Sequence, residues 1–118
     1  MNLDEFRQHM EEFWHSVSRE AEEYRYPYLA IERMEDLYGK FDSAERAMAD
    51  EVLAEWALSE DEEKRYDALS LIEDLKIVTA IPALRALAGR LSKSRALGAD
   101  DELDIVNRKI GVLVDRRG

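Results

Sequence analysis

A helical stripe at the start of the chain restricts the fold more than any other feature. Leu3, Phe6, Met10, Phe13, Trp14, Val17, Ala21 and Tyr24 recur at steps of three and four, the spacing that lines up side chains on one face of an α-helix. Residues 3 to 25 therefore read as one long amphipathic helix, with Glu5, Glu11, Glu12, Glu20, Glu22 and Glu23 on its other face. Composition extends the inference to the whole chain. Apolar residues make up 46% and charged ones 37%, with only 5 Gly and 2 Pro, a balance that suits long helices better than a turn-rich β fold or disorder.

The expected class is all-α with about six helices. Tyr26-Pro27 breaks the first helix, because the residue before proline avoids the helical region, and Pro27 suits the first turn of a second helix running to about Tyr38. Gly39 is its expected C-terminal cap. Asp42, with Glu45 three residues on, predicts a capping box for a third helix that carries Met48, Val52 and Trp56 on one face and ends near Leu58. Ser59 and Glu62 predict another box, followed by a helix with Tyr66, Leu69, Ile72 and Leu75 inward. Thr79 is the expected cap of a fifth helix with Pro82 in its first turn and Ala80, Leu84, Leu87 and Leu91 inward. Residues 92 to 99 read as a loop, and Asp100 to Arg116 as a last helix packing Leu103, Val106, Ile110 and Leu113.

The length of 118 residues fits a single domain, 1 to 118, with enough chain to bury a core. There is no Cys, so no disulfide framework or thiolate site is expected and a reducing cytoplasm is the simple reading. Met1-Asn2-Leu3-Asp4-Glu5-Phe6 lacks the basic flank and apolar run of a signal peptide, and no uncharged stretch is long enough to span a bilayer. A formal net charge of −10 argues against a dedicated nucleic-acid binder. Residues 1 to 78 hold 22 acidic and 9 basic side chains, whereas 79 to 118 hold 5 and 8, so one end is strongly negative.

Residues 59 to 91 read SEDEEKRYDALSLIEDLKIVTAIPALRALAGRL. An acidic start, Arg65, Ala68-Leu69, Leu71-Ile72 and Leu75, a short link, then Ala80-Ile81-Pro82-Ala83-Leu84 and Leu87 follow one another in the order of a HEAT repeat, which this stretch resembles. Small Ala68 and Ala83 would let two helices approach while Leu and Ile fill the space between them. The resemblance implies a short right-handed stack of antiparallel helix pairs, with residues 27 to 58 as a divergent preceding pair and the two end helices covering the open faces. It also implies a structural Arg65 that ties adjacent turns. An irregular helical bundle is the alternative fold.

No catalytic constellation is found. Glu12-x-x-His15 has the spacing of a helical di-iron ligand pair, but His9 and His15 are the only histidines and a second such motif is missing. No metal site or cofactor is expected. No Gly-x-Ser-x-Gly elbow or Gly-rich phosphate loop occurs. Adjacent acids such as Glu11-Glu12, Glu22-Glu23 and Asp100-Asp101 diverge by about 100° on a helix, so they do not face one another across a cleft. Trp14 and Trp56 belong to apolar stripes and read as core.

The cluster Tyr24-Arg25-Tyr26-Pro27-Tyr28 is distinctive, since Tyr and Arg anchor interfaces. Its alternative is a helix corner packed by its own rings. The basic group Arg85, Arg90, Lys93, Arg95, Arg108 and Lys109 could contact phosphates but lacks interleaved aromatics. The expected function is a non-catalytic module that holds another, basic protein on an acidic helical surface, as a bacterial immunity or antitoxin protein would. Tyr24, Tyr26, Glu51 and Glu55 are its candidate protein-binding residues. The alternatives are a HEAT-like cofactor- or chromophore-handling enzyme, as certain HEAT-like chromophore lyases are, and a structural adaptor.

Overall fold

The computed structural model describes residues 1 to 117, the last of them by its backbone only. The fold is all-α. Six helices, α1 (Leu3–Tyr24), α2 (Leu29–Gly39), α3 (Ser43–Trp56), α4 (Glu62–Asp74), α5 (Ile81–Ser92) and α6 (Ala99–Arg117), are joined by loops and one 3-10 turn, Val78–Ala80, with no strand among the described residues. The chain divides into two compact units, Met1–Val52 and the part from Leu53 onward, so the division falls inside α3.

Unit 1 is built on the stripe of α1. Phe6, Met10, Trp14, Val17 and Ala21 are all buried, as their spacing predicts. Asn2 opens the helix by accepting from the Glu5 N–H at 2.8 Å. The helix ends at Arg25, whose left-handed φ of 55° turns its N–H back to the carbonyls of Ala21 and Glu22, so termination precedes Pro27. Pro27 then lies ahead of α2 rather than inside its first turn, and Ala30, Ile31 and Met34 face the core. The Phe6 ring, at the start of α1, meets that of Phe41, just past the end of α2, at 5.2 Å between centroids. The two helices are therefore an antiparallel hairpin. Gly39 is the last helical residue and not the cap: Lys40 follows it in right-handed conformation, so this end needs no positive φ. The Asp42–Glu45 box forms as predicted, with Glu45 N–H to Asp42 Oδ1 at 2.8 Å and Asp42 N–H to Glu45 Oε1 at 3.0 Å.

In unit 2 the cap of α4 is Asp61, not Ser59. Its carboxylate stands one residue before the helix and accepts from the N–H groups of Glu63 at 3.1 Å and Lys64 at 3.2 Å. Ser59 Oγ lies two residues upstream and accepts from Asp61 N–H instead. Tyr66 points to solvent, against expectation, while Ala68, Leu69, Leu71 and Ile72 are buried. Tyr66 is two residues from Ala68 and hence about 200° round the helix from it. Thr79 does not cap α5. It sits in the 3-10 turn, and the capping residue is Ala80, without a side-chain bond. Pro82 does occupy the first turn of α5, and Ile81, Leu84, Leu87 and Leu91 are buried. From α6, Val106 and Leu113 are fully buried, whereas Leu103 and Ile110 are only half-buried.

Two ion pairs fix the packing of α4 against α6. Arg65 Nε donates to Glu102 Oε1 at 2.7 Å and Nη2 to Glu102 Oε2 at 3.3 Å, while Nη1 holds the Ser59 carbonyl at 2.9 Å. Further along both helices, Lys109 Nζ meets Glu73 Oε2 at 3.3 Å. Because the second pair is displaced in the same sense and by nearly the same distance along each helix, α4 and α6 run parallel. Helix α5 lies between them in the chain and packs against α6.

Candidate functional site

The predicted tyrosine cluster occupies the corner where α1 turns into α2. Tyr24 is 70% exposed, Tyr26 41% and Tyr28 57%. The rings of Tyr26 and Tyr28 meet edge to face at 6.3 Å, so the corner is partly packed by its own rings, yet all three tyrosines remain open to solvent. Tyr26 donates its phenol proton to Glu32. That hydrogen bond, with some desolvation and the nearby negative charge, pushes the Tyr26 phenol above its ordinary pKa. Glu22, Glu23 and Glu32 have exposed side chains around the same corner. The arrangement is an exposed aromatic surface that carries Arg25 among flanking carboxylates, with the chemistry to cover an apolar group and attract a cation.

Glu51 and Glu55 are both exposed on α3, one turn apart. Glu51 belongs to unit 1 and Glu55 to unit 2. The four candidates thus form two groups, a tyrosine pair at a helix corner and a carboxylate pair along one helix.

Trp14 and Trp56 are buried, as core residues should be. The Lys64 ammonium lies over the Trp56 ring at 5.4 Å. His15 is exposed and 3.4 Å from Glu11, and His9 is exposed. Among the described residues no group of three or more His, Asp or Glu side chains is placed to hold a metal ion, and no helix is long and apolar enough to cross a membrane. Of the basic group, Arg90 donates to the Leu58 carbonyl at 3.1 Å and Lys109 is spent on Glu73.

A second node in unit 1 was not visible in the sequence. Tyr38 donates to Asp50 Oδ1 at 2.8 Å, and the Arg46 guanidinium lies 5.4 Å above its ring while reaching the carbonyls of Tyr38 and Gly39. Desolvation, reinforced by the Asp50 hydrogen bond, pushes the Tyr38 phenol up to about 12. Burial raises the Asp50 carboxyl as well, partly offset by the bond from Tyr38. The node joins the end of α2 to α3 and reads as structural.

Unit 2 contains an open-sided cleft of about 880 Å³ bounded by the start of α4, the end of α5, the 93–98 loop and the start of α6. Nothing in the periodicity announced it, since Tyr66 reads as inward and the loop as a bare connection. The one available signal was Leu97, an isolated large apolar residue in that loop. No protein family, no curated protein and no solved structure matches this chain.

Proposed function

We propose that this protein is a non-catalytic binding module that holds a basic protein partner, an inhibitor of the immunity or antitoxin kind. The observation that carries the reading is the tyrosine corner: three exposed tyrosines within five residues, ringed by exposed Glu22, Glu23 and Glu32. Tyrosine supplies large, stiff contact area at small entropic cost, and the surrounding carboxylates speed encounter with a cationic surface. Glu51 and Glu55 supply a further pair of exposed carboxylates on α3. The scaffold fits a short HEAT-like stack: parallel α4 and α6, with α5 between them in the chain and Arg65 bridging them, are what stacked helix pairs require.

The test is affinity capture from the native host, with the chain as bait at low and at moderate salt. A basic protein should co-purify, and its recovery should fall as salt rises. Tyr24→Ala, Tyr26→Ala, Glu51→Lys and Glu55→Lys, each checked for unchanged helicity by circular dichroism, should reduce recovery. If all four variants retain the partner in full, the placement on these residues is wrong. Recovery of a bound small molecule in place of any protein would sink the binding-module reading itself.

A further inference from the structure

The tyrosine corner makes no use of the cleft in unit 2. Its floor is apolar, formed by Leu87 and Leu91 of α5 with Ile105 of α6, and Tyr66 and Leu97 stand at its edges. Leu97 is fully exposed and Tyr66 is 56% exposed. Of the three large apolar side chains exposed in the described part of unit 2, Tyr66, Leu97 and Val112, two therefore border one concavity. Large apolar groups held in water beside an apolar floor mark a surface that another molecule covers.

Charge selects the kind of molecule. Among the carboxylates lining the cleft, Glu102 is occupied by Arg65 at 2.7 Å and exposed Glu62 also faces Arg65 at 3.9 Å, while Glu60, Glu63 and Asp101 have exposed side chains. Two helices begin here, and an N-terminus alone would favour an anion through about half a positive charge. Each is already overcompensated, α4 by Glu62 and Glu63 behind its Asp61 cap and α6 by Asp100, Asp101 and Glu102. Of the two guanidinium groups in the lining, Arg65 is committed to Glu102 and Ser59, and Arg90 directs one N–H to the Leu58 carbonyl. The field left over the apolar floor is negative.

We propose that this cleft binds a basic segment of a partner protein, with an apolar side chain seated on Leu87, Leu91 and Ile105 and flanking Lys or Arg residues reaching Glu60, Glu63 and Asp101. A volume of about 880 Å³ takes a few side chains rather than a folded domain. Because the cleft is open-sided, the segment's backbone can lie across it without threading. The proposal rests on the reading of the partner as a basic protein, but not on the tyrosine corner.

The experiment is a titration of the ¹⁵N-labelled full chain with a synthetic probe, acetyl-Gly-Lys-Leu-Lys-Arg-Leu-Lys-Gly-amide, followed by heteronuclear NMR. Shifts should centre on Tyr66, Leu97, Gly98 and Glu102. Leu97→Ser and Glu60→Lys, both outside helices, should each weaken binding by about tenfold, equivalent to roughly 1.4 kcal/mol, as should replacing both probe leucines by serine. Binding should also weaken with added salt. No shifts at saturating probe, or unchanged affinity in both variants, overturns the proposal. Shifts confined to residues 24 to 28 overturn it too while leaving the corner reading intact. Conversely, cleft shifts alongside full partner capture by all four variants of the preceding test would remove the corner and keep the cleft.

Discussion

Residues 1 to 52 carry 14 acidic and 6 basic side chains, whereas 53 to 118 carry 13 and 11. The acid content is nearly the same, but its use differs. In unit 2 opposite charges fall at matching heights on α4 and α6, and two carboxylates become ties between helices through Arg65–Glu102 and Glu73–Lys109. In unit 1 most acids lie on outer faces, as Glu5, Glu12, Glu22 and Glu23 do on α1. There the carboxylates generate a surface field and the interior is held by apolar and aromatic packing around Phe6, Trp14 and Phe41. A carboxylate's role is thus set by what the adjacent helix presents at its level, and the count of charges says nothing about it.

The contrast predicts unequal losses when one arginine is removed from each unit. The Arg65 and Glu102 side chains are 13% and 25% exposed, and Arg65→Ala strands the carboxylate together with the Ser59 carbonyl. Hydrogen bonds to charged groups contribute about 1.5–3 kcal/mol each way of counting, and the partial exposure keeps the loss in that range rather than at the level of a fully buried pair. Arg46, exposed and reaching two carbonyls at 3.3 and 3.4 Å, should cost under about 1 kcal/mol when replaced by Ala. Urea unfolding of both variants decides it. Equal losses would break the distinction between a largely buried ion pair that ties two helices and an exposed arginine that ties them only weakly.

A smaller effect, of opposite sign, is expected at two helix ends. Arg25 in unit 1 and Lys76 in unit 2 both hold left-handed backbone, with φ of 55° and 56°, which an L-residue with a Cβ adopts at a cost of about 1 kcal/mol. Arg25→Gly and Lys76→Gly should therefore each stabilise by up to about 1 kcal/mol, the relief being reduced by glycine's freedom in the unfolded chain. Thermal melts measure this directly. A gain at Lys76 but a loss at Arg25 would assign the Arg25 side chain a role in holding the corner beyond its backbone.

These two positions also mark where the sequence ceased to be legible. The number of helices, the stripe of α1, the Asp42–Glu45 box and the burial of Trp14 and Trp56 follow from period and capping chemistry, which are local. Pro27 predicts the end of α1, but a left-handed Arg25 terminates it, because proline and glycine are visible in a sequence and a strained arginine is not. Steps of three predict an inward Tyr66, whereas the buried face of α4 centres on Ala68 and Ile72, a rotation set by tertiary packing and not by the local period. The tyrosine corner was legible as composition and its exposure was not. The cleft was invisible because its walls come from the ends of three helices and a loop, separated by up to 45 residues of chain between Glu60 and Ile105.

The smallest expected effect concerns the Tyr38 node. Its phenol is pushed up to about 12, chiefly by desolvation and then by the bond to Asp50, against about 10 in an unfolded chain. A group whose folded value is raised contributes stability that is complete below the unfolded value and lost as pH rises through the folded one, here between about pH 10 and 12. In a spectrophotometric titration near 295 nm, Tyr38 should ionise well above the ordinary tyrosine value of about 10. Asp50→Ala should advance Tyr38 only part of the way, because the desolvation that dominates its shift remains when the carboxylate is gone. Asp50 itself works in the same sense at acid pH: its carboxyl is raised by burial, so its contribution grows as pH falls towards its unfolded value near 4. Full reversion of Tyr38 in Asp50→Ala would mean that the carboxylate, and not packing, governs this part of unit 1. Unit 1 would then depend on a polar tie at this point, as unit 2 does at Arg65.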